Sequence, residues 1–288
     1  MTDPDLFSFK AGDGATIMAR HWPAAGETQV VLIVAHGMGE HSGRYREPLA
    51  PLAGRGVSIY APDHRGHGAT APEGTHGDLG PGGFAGLVDD LAVLTRRAAA
   101  EHPDARVVLL GHSMGSFAAQ AFAPRHADLI DGLALSGSAA LEALALVGPA
   151  SLEAFNAPFE PARTPFDWLS RDEAEVDRYL ADPWCGFSVD AAGQASMVAL
   201  APQMMDAGAL PKDLPVYIVS GLADPLAVAI EPLIARYRDA GLTVTTDLYP
   251  EARHEVFNET NRAEVVERFA AWLEEVPRRT RSSAIQAD

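Results

Sequence analysis

The chain has 288 residues, of which 47% are hydrophobic and 21% are charged, and its formal net charge is -17. These values are typical of a soluble globular enzyme, and the acidic balance argues against nucleic acid or an anionic bilayer as a partner. The only cysteine is Cys185, which excludes an intramolecular disulfide. Residues 1–5 lack the features of a secretion signal and no apolar run is long enough to span a bilayer, so we expect a cytoplasmic protein.

The first segments predict a hairpin, a central strand and a glycine-rich loop. Residues 7–10 and 15–22 alternate around a Gly-Asp-Gly turn, as in an N-terminal hairpin. Residues 30–35 are wholly apolar and rich in β-branched side chains, which is typical of a parallel strand buried on both faces. The loop 36–41 follows, where an α/β sheet places ligand-binding backbone, and its Met38 amide is a candidate oxyanion donor. The alternative is a plain turn.

A helix over residues 45–53 and a strand over residues 57–61 lead to the loop 63–68, Asp-His-Arg-Gly-His-Gly. Its two histidines, with His76 and Asp78 nearby, raise the alternative of a metal site. The second half of a zinc-ligand pattern is missing, so we favour a turn braced by hydrogen bonds among the first three residues of the loop. We therefore predict no metal and no cofactor.

The most informative stretch joins a strand to a helix through a short motif. After an amphipathic helix over residues 84–101, four large apolar residues at 107–110 predict a buried strand. They run into Gly-His-Ser-Met-Gly at 111–115, and a helix over residues 116–123 follows, which Pro124 helps to end. The motif therefore lies on a sharp turn between strand and helix.

A serine at the apex of such a turn has a strained backbone and needs small neighbours two residues away. Gly111 and Gly115 meet that requirement. The turn raises the Ser113 hydroxyl above the carboxyl edge of the sheet and leaves the Met114 amide free to donate to an oxyanion. These features predict that Ser113 is a nucleophile.

A long insertion separates two later strands. The strands are predicted over residues 132–136 and 216–220, and the interval is far longer than an ordinary α/β connection. Residues 139–212 are half-helical and rich in methionine and aromatic residues, which favours an adaptable apolar cover over a rigid second core. The alternative is a small stabilising subdomain. The insertion residues predicted to bind substrate are Phe159, Trp168 and Met204.

The alternation of strands and helices predicts a mainly parallel sheet flanked by helices, with a mostly helical lid inserted in it. Its two core parts are residues 1–138 and 213–288, and the tail from residue 277 onward is expected to be frayed. The later elements of the core are predicted as a helix over 230–240, a strand over 243–248 and a helix over 262–275.

A nucleophilic serine needs a histidine base and an acid that orients it, and on this fold the acid and then the histidine follow the serine in the chain. Only His126 and His254 come after Ser113. His126 follows the helix that leads away from the nucleophile, so His254 is the predicted base. Asp224 follows the preceding strand at the same edge and is the predicted acid. The other carboxylates considered for the role of the acid are Asp206, Asp213, Asp239, Asp247 and Glu251.

Three segments, residues 36–45, 63–68 and 111–115, resemble the corresponding segments of monoacylglycerol lipases and bacterial lysophospholipases in the α/β-hydrolase superfamily. The resemblance covers the chain from about residue 36 to 257 and implies a serine ester hydrolase with a lid over an acyl-binding pocket. One departure is Ser116, where relatives commonly carry a second glycine. The family roles that it matches are those of Ser113, Asp224 and His254 as catalytic residues and of the Met38 and Met114 amides as oxyanion donors.

These observations predict an enzyme that hydrolyses small-molecule acyl esters, such as monoacylglycerols or lysophospholipids, through an acyl-enzyme. A short-chain carboxylesterase or thioesterase is the alternative within enzymes, and a non-catalytic ligand-binding receptor on the same fold is the alternative outside them. Because substrate choice depends on the lid, these motifs do not specify the headgroup of the substrate. We expect at most weak membrane contact through the lid, and the sequence indicates no oligomeric state.

Overall fold

The computed structural model describes residues 3–145 and 152–279. Part of the predicted lid, residues 146–151, and most of the predicted frayed tail, residues 280–288, lie outside the described residues. The strands are β1 Asp5–Lys10, β2 Thr16–Trp22, β3 Val30–Ala35, β4 Val57–Pro62, β5 Arg106–His112, β6 Gly132–Ser136, β7 Val216–Gly221 and β8 Val244–Tyr249. The helices are α1 Ala50–Ala53, α2 Gly83–Glu101, α3 Met114–His126, α4 Leu141–Ala145, α5 Glu173–Ala181, α6 Ala191–Ala199, α7 Ala201–Met204, α8 Ile230–Asp239 and α9 Arg262–Glu275.

The described residues form an eight-stranded sheet in the order β1-β2-β4-β3-β5-β6-β7-β8. β2 pairs antiparallel with β1 and β4, and every other neighbouring pair is parallel. The mainly parallel sheet that the alternation predicted is thereby confirmed, and it has the arrangement that the resemblance to α/β-hydrolases implies. β3 and β5 pair over the full length of β3, from Val30 opposite Arg106 to Ala35 opposite Gly111. That register aligns the carboxyl ends of the two central strands.

The wholly apolar sequence of β3 is explained by burial on both faces of the sheet. Val31 and Ile33 belong to the hydrophobic cluster that includes α2 and α3, whereas Leu32 and Val34 belong to the cluster on the α9 side. The opposite face is closed by α9, whose Phe269 is fully buried. Helices therefore cover both faces of the central strands.

Two predicted helices that contain prolines differ from the structure. The predicted helix over residues 45–53 is a 3₁₀ turn, Ser42–Tyr45, and the short helix α1. Pro48 and Pro51 lie within that stretch and lack the N–H that an uninterrupted helix needs. Pro124, by contrast, does not end α3, which forfeits one hydrogen bond and continues to His126.

The insertion, called the cap here, contains α4 to α7 and 3₁₀ turns such as Asp167–Leu169 in its described part. The predicted adaptable cover has a small buried cluster of its own, which includes Phe166, Trp168 and Tyr179. Helices α6 and α7 lie against α2 and α3 of the core. The cap is therefore packed internally and against the sheet layer. Within residues 3–145 and 152–279, no helix has the length and hydropathy needed to cross a bilayer.

Asp63 is braced by distant partners, and not by the local hydrogen bonds that we predicted for its loop. Its fully buried carboxylate accepts from the Arg20 guanidinium at 2.7 Å and from the Ser42 amide at 2.9 Å. Burial raises the pKa of Asp63, but the Arg20 charge and the Ser42 hydroxyl outweigh it, so the pKa is lower than usual. The carboxylate thus ties the end of β4 to β2 and to the loop after β3.

We expect Asp63→Ala to lower the free energy of unfolding by about 3 to 5 kcal/mol, because it leaves a buried guanidinium unpaired. Urea-induced unfolding followed by circular dichroism measures this change. The matched control is Asp104→Ala, whose exposed carboxylate faces Arg278 at 3.5 Å and for which we expect a loss below about 1 kcal/mol. Equal losses for the two variants would contradict the role given to Asp63.

Candidate active site

Ser113 lies at a strained turn between β5 and α3. Its φ of 52° makes it the one non-glycine residue with positive φ among the described residues. A Cβ on Gly115 would lie 2.1 Å from the carbonyl oxygen of Ala35, and one on Gly111 would lie 2.4 Å from the carbonyl oxygen of Gly115. Only glycine fits at either position, as the motif predicted.

His254 and Asp224 follow β8 and β7 at the carboxyl edge of the sheet, and both are buried. The Nδ1 atom of His254 lies 2.8 Å from Oδ2 of Asp224, while Oδ1 of Asp224 accepts from the Leu226 amide at 2.9 Å. Because a carboxylate accepts, Nδ1 carries the proton and Nε2 keeps its lone pair. Burial lowers the pKa of His254, but the charge and hydrogen bond of Asp224 outweigh it and raise the pKa above its ordinary value.

Ser113 and His254 line one small cavity together with Met38, Trp168 and Tyr179. Its volume is about 10 Å³, which is room for one water molecule. No hydrogen bond joins the Ser113 hydroxyl to another side chain in the described ranges, and such bonds are often long in unliganded enzymes. His126, the other histidine considered as the base, ends α3 and does not line this cavity.

Of the two predicted oxyanion donors, Met38 lines the cavity with Ser113 and Met114 follows Ser113 in the chain. Met38 belongs to the loop after β3, and Met114 is the first residue of α3, so its N–H has no acceptor within the helix. Neither amide N–H has a hydrogen-bond partner among residues 3–145 and 152–279. Two backbone donors next to a serine are the arrangement that an oxyanion requires.

The three predicted substrate-binding residues have different positions. Trp168 is buried at the cavity, with its ring centroid 4.7 Å from that of His254. Phe159 is half-buried under the Arg253 guanidinium at 4.4 Å, and Met204 is buried in the main hydrophobic core. The structure therefore brings Trp168 to the cavity, and it does not bring Phe159 or Met204 there.

Sequence reasoning missed an ion bridge between the two loops that flank the cavity. Oε1 of Glu40 accepts from the Gly37 amide at 2.5 Å and from Tyr45 at 2.9 Å. Arg44 donates to Oε2 of Glu40 at 2.8 Å and to the two carboxylate oxygens of Glu255 at 2.6 and 2.7 Å. The (i, i+4) spacing of Glu40 and Arg44 was a signal, but their partner Glu255 is distant in the chain.

The bridge fixes charges around the cavity. Burial raises the pKa of Glu40, but the Arg44 charge outweighs it and holds the pKa well below its usual range. Burial and the nearby His254 lower the pKa of His112 to about 4, so its ring is neutral near pH 7. The ring of His112 lies 4.8 Å from that of His254. A neutral neighbour does not repel a positive charge on His254.

The histidines of the loop 63–68, considered as metal ligands, form an aromatic cluster with His36. The His36 ring lies 4.1 Å from that of His64 and 5.2 Å from that of His67. Nδ1 of His36 donates to the Gly37 carbonyl at 2.8 Å, and its Nε2 accepts from the His64 amide at 3.0 Å. Burial lowers the pKa of all three histidines. Neutral rings in tilted and edge-on contact thus brace the base of the loop that carries Met38.

Comparisons with known proteins identify the family to which the chain belongs. A family described as Serine aminopeptidase, S33 (Hydrolase_4) matches residues 26–261. Monoacylglycerol lipase of Mycolicibacterium smegmatis is 31% identical over 92% of this chain and 95% of its own length. Monoglyceride lipase of Homo sapiens is 29% identical over 89% of both chains. A crystal structure of a carboxyl esterase from Bacillus coagulans has a TM-score of 0.83 and 26% identity, covering 96% of this chain and 99% of that one.

These matches confirm the resemblance and the enzyme class that the sequence predicted, a serine hydrolase of carboxylic esters. The family's printed name is that of a peptidase, whereas the relatives are named lipases and esterases. Peptide and ester hydrolysis share the acyl transfer to serine, so the two names describe one chemistry. The chain therefore belongs to the Serine aminopeptidase, S33 family of α/β-hydrolases.

Proposed function

We propose that the chain hydrolyses monoacylglycerols or related acyl esters with Ser113 as nucleophile, His254 as base and Asp224 as the acid that orients the base. The observation that carries the proposal is the 2.8 Å hydrogen bond between His254 and Asp224 at the cavity that Ser113 lines. That bond leaves Nε2 of His254 with a free lone pair, which is what deprotonation of a serine hydroxyl requires.

The reaction proceeds in two acyl transfers. Ser113 Oγ attacks the ester carbonyl while Nε2 of His254 takes its proton, and the same proton then passes to the leaving alcohol. A water molecule next gives its proton to His254 and attacks the acyl-enzyme, which releases the fatty acid and frees Ser113. The Met38 and Met114 amides stabilise the oxyanion in both steps. Because both donors are backbone groups, side-chain changes at these residues act through shape.

Long acyl chains are favoured by the apolar character of the cap. Leu152, Trp168 and Leu169 present apolar side chains to the Ser113 cavity. The relatives named monoacylglycerol lipase cover nearly the whole chain, which supports the same substrate class here. We further propose that residues 139–212 act as the lid between the core parts 1–138 and 213–288. Trp168 is the cap residue that we assign to the acyl group.

The first test is hydrolysis of an acyl series, from short esters to long-chain monoacylglycerols and lysophospholipids. We expect activity to rise with chain length and Ser113→Ala to lower kcat on the order of 10⁶-fold. Ser8→Ala, which changes an exposed serine on β1, is the control and retains full activity. Turnover of short esters alone would favour the carboxylesterase or thioesterase alternative, and an active Ser113→Ala variant would refute the assigned nucleophile.

The second test is the pH dependence of kcat/KM. Neutral His254 is the base, so activity is lost as the pH falls through a pKa that lies above the ordinary value of about 6.5. Asp224→Asn removes the charge that raises this pKa, so we expect the acid limb to move to lower pH and kcat to fall about 10⁴-fold. An acid limb at the same pH in both proteins would contradict the proposed pair.

The third test concerns the ion bridge. We expect Glu40→Gln to lower kcat about tenfold to a hundredfold with a smaller effect on KM, because the charge that binds Arg44 is lost and the loop carrying Met38 shifts. Steady-state kinetics with one ester measure both constants. Glu47→Gln, at an exposed carboxylate of the same loop region, is the control. A change in KM alone would assign Glu40 to substrate binding, against this prediction.

A further inference from the structure

We propose that His41, Asp182 and Cys185 form a zinc-binding site that joins the cap to the loop after β3. One potential ligand atom from each residue lies within 4.8 Å of the other two. In the described part of the chain, no other group of three histidine, cysteine or acidic residues converges in this way. The three residues come from two regions distant in sequence, so the fold itself brings them together.

The ligand set selects the metal. Zinc binds thiolate, imidazole and carboxylate at about 2.0 to 2.3 Å, which places the ligand atoms of a tetrahedral site roughly 3.3 to 3.8 Å apart. The three atoms therefore close around an ion after shifts of about 1 Å. Calcium and magnesium prefer oxygen ligands and do not select a thiolate. With three protein ligands, water occupies the fourth position.

Two protons must move when the ion binds. A cysteine thiol has an ordinary pKa of about 8.5 and is mostly protonated near pH 7, so formation of the zinc–sulfur bond sends the Cys185 proton to solvent. Nδ1 of His41 accepts from the Gly43 amide at 3.2 Å, so Nε2 carries the ring proton and donates to Asp182 at 2.9 Å. When zinc binds Nε2, that proton moves to Nδ1. Nδ1 can then no longer accept the 3.2 Å hydrogen bond from the Gly43 amide.

The surroundings accept a cation despite several nearby arginines. Arg44 is the cation whose charge acts on Cys185, but that charge is balanced by hydrogen bonds to Glu40 and Glu255. Arg178 is paired with Glu175. A surface pocket of about 250 Å³, lined in part by His41 and Asp182, gives the ion an entry path and space for its water.

The same cap segment touches the loop that carries Met38. The Gly186 amide donates to the Gly39 carbonyl at 3.0 Å, and a Cβ on Gly39 would lie 2.3 Å from the carbonyl oxygen of Phe187. A metal ion bound to Cys185, the residue before Gly186, therefore holds the cap segment against this loop. On the proposed function, we expect zinc to restrict the cap and to slow ester hydrolysis reversibly.

Zinc titration of the metal-free protein, by calorimetry and by competition with a chromophoric chelator, tests the site without substrate. We expect one equivalent to bind, with affinity reduced about tenfold or more in Cys185→Ser and Asp182→Asn. Asp206→Asn is the matched control, because Asp206 also caps a turn in the cap but lies outside the group. Cobalt(II) should give a thiolate charge-transfer band that Cys185→Ser lacks. Equal zinc affinity in Cys185→Ser and the wild type would overturn the site.

A separate assay tests the coupling to hydrolysis. We expect one equivalent of zinc to inhibit the wild type, a chelator to restore its activity, and Cys185→Ser to resist inhibition. Bound zinc without any change in activity would overturn the coupling. Since binding is measured without turnover, failure of the metal site and failure of the proposed hydrolase function are distinguished by different experiments.

Discussion

The left-handed backbone of Ser113 is the constraint on which the site depends. Such a conformation costs a non-glycine residue about 1 to 3 kcal/mol and persists only where the surroundings determine it. Here the determinant is the close approach of Gly115 to β3, which the register of Ala35 opposite Gly111 imposes. The same register places the loop after β3 beside the start of α3. One strand pairing thus positions Ser113, the candidate nucleophile, and both candidate oxyanion donors, Met38 and Met114.

Buried ion pairs also connect two loops that the strands of the sheet do not join. The loop after β3 and the loop after β8 are not neighbours in sequence, yet Arg44 joins them through Glu40 and Glu255. Breaking such a pair costs far more than the pair contributes, because it leaves an uncompensated charge. The bridge therefore fixes the relative position of the two loops more than it stabilises the fold. That position sets where His254 lies relative to Met38.

The sequence predicted what depends on local pattern and missed what depends on long-range contact. Residues 30–35, 132–136 and 262–275 have the predicted bounds, because apolar runs and helical periodicity are strong local signals. The order of serine, acid and histidine along the chain predicted that Asp224 and His254 lie together, and a hydrogen bond joins them. The partners of Asp63 and the position of Met204 in the core followed from no local pattern, since both depend on how distant elements pack.

The cap is hydrogen-bonded to the loop after β3 and to the loop after β8, which limits how a substrate enters. The His254 amide donates to the Trp168 carbonyl at 3.3 Å, the Glu255 amide to Leu169 at 2.8 Å, and Gly186 to Gly39 on the other side. A cavity with room for one water does not hold an acyl ester, whose site needs several hundred Å³. The cavity therefore has to enlarge before such an ester fits. The three backbone hydrogen bonds between the cap and the two loops oppose an enlargement that moves the cap backbone away from them.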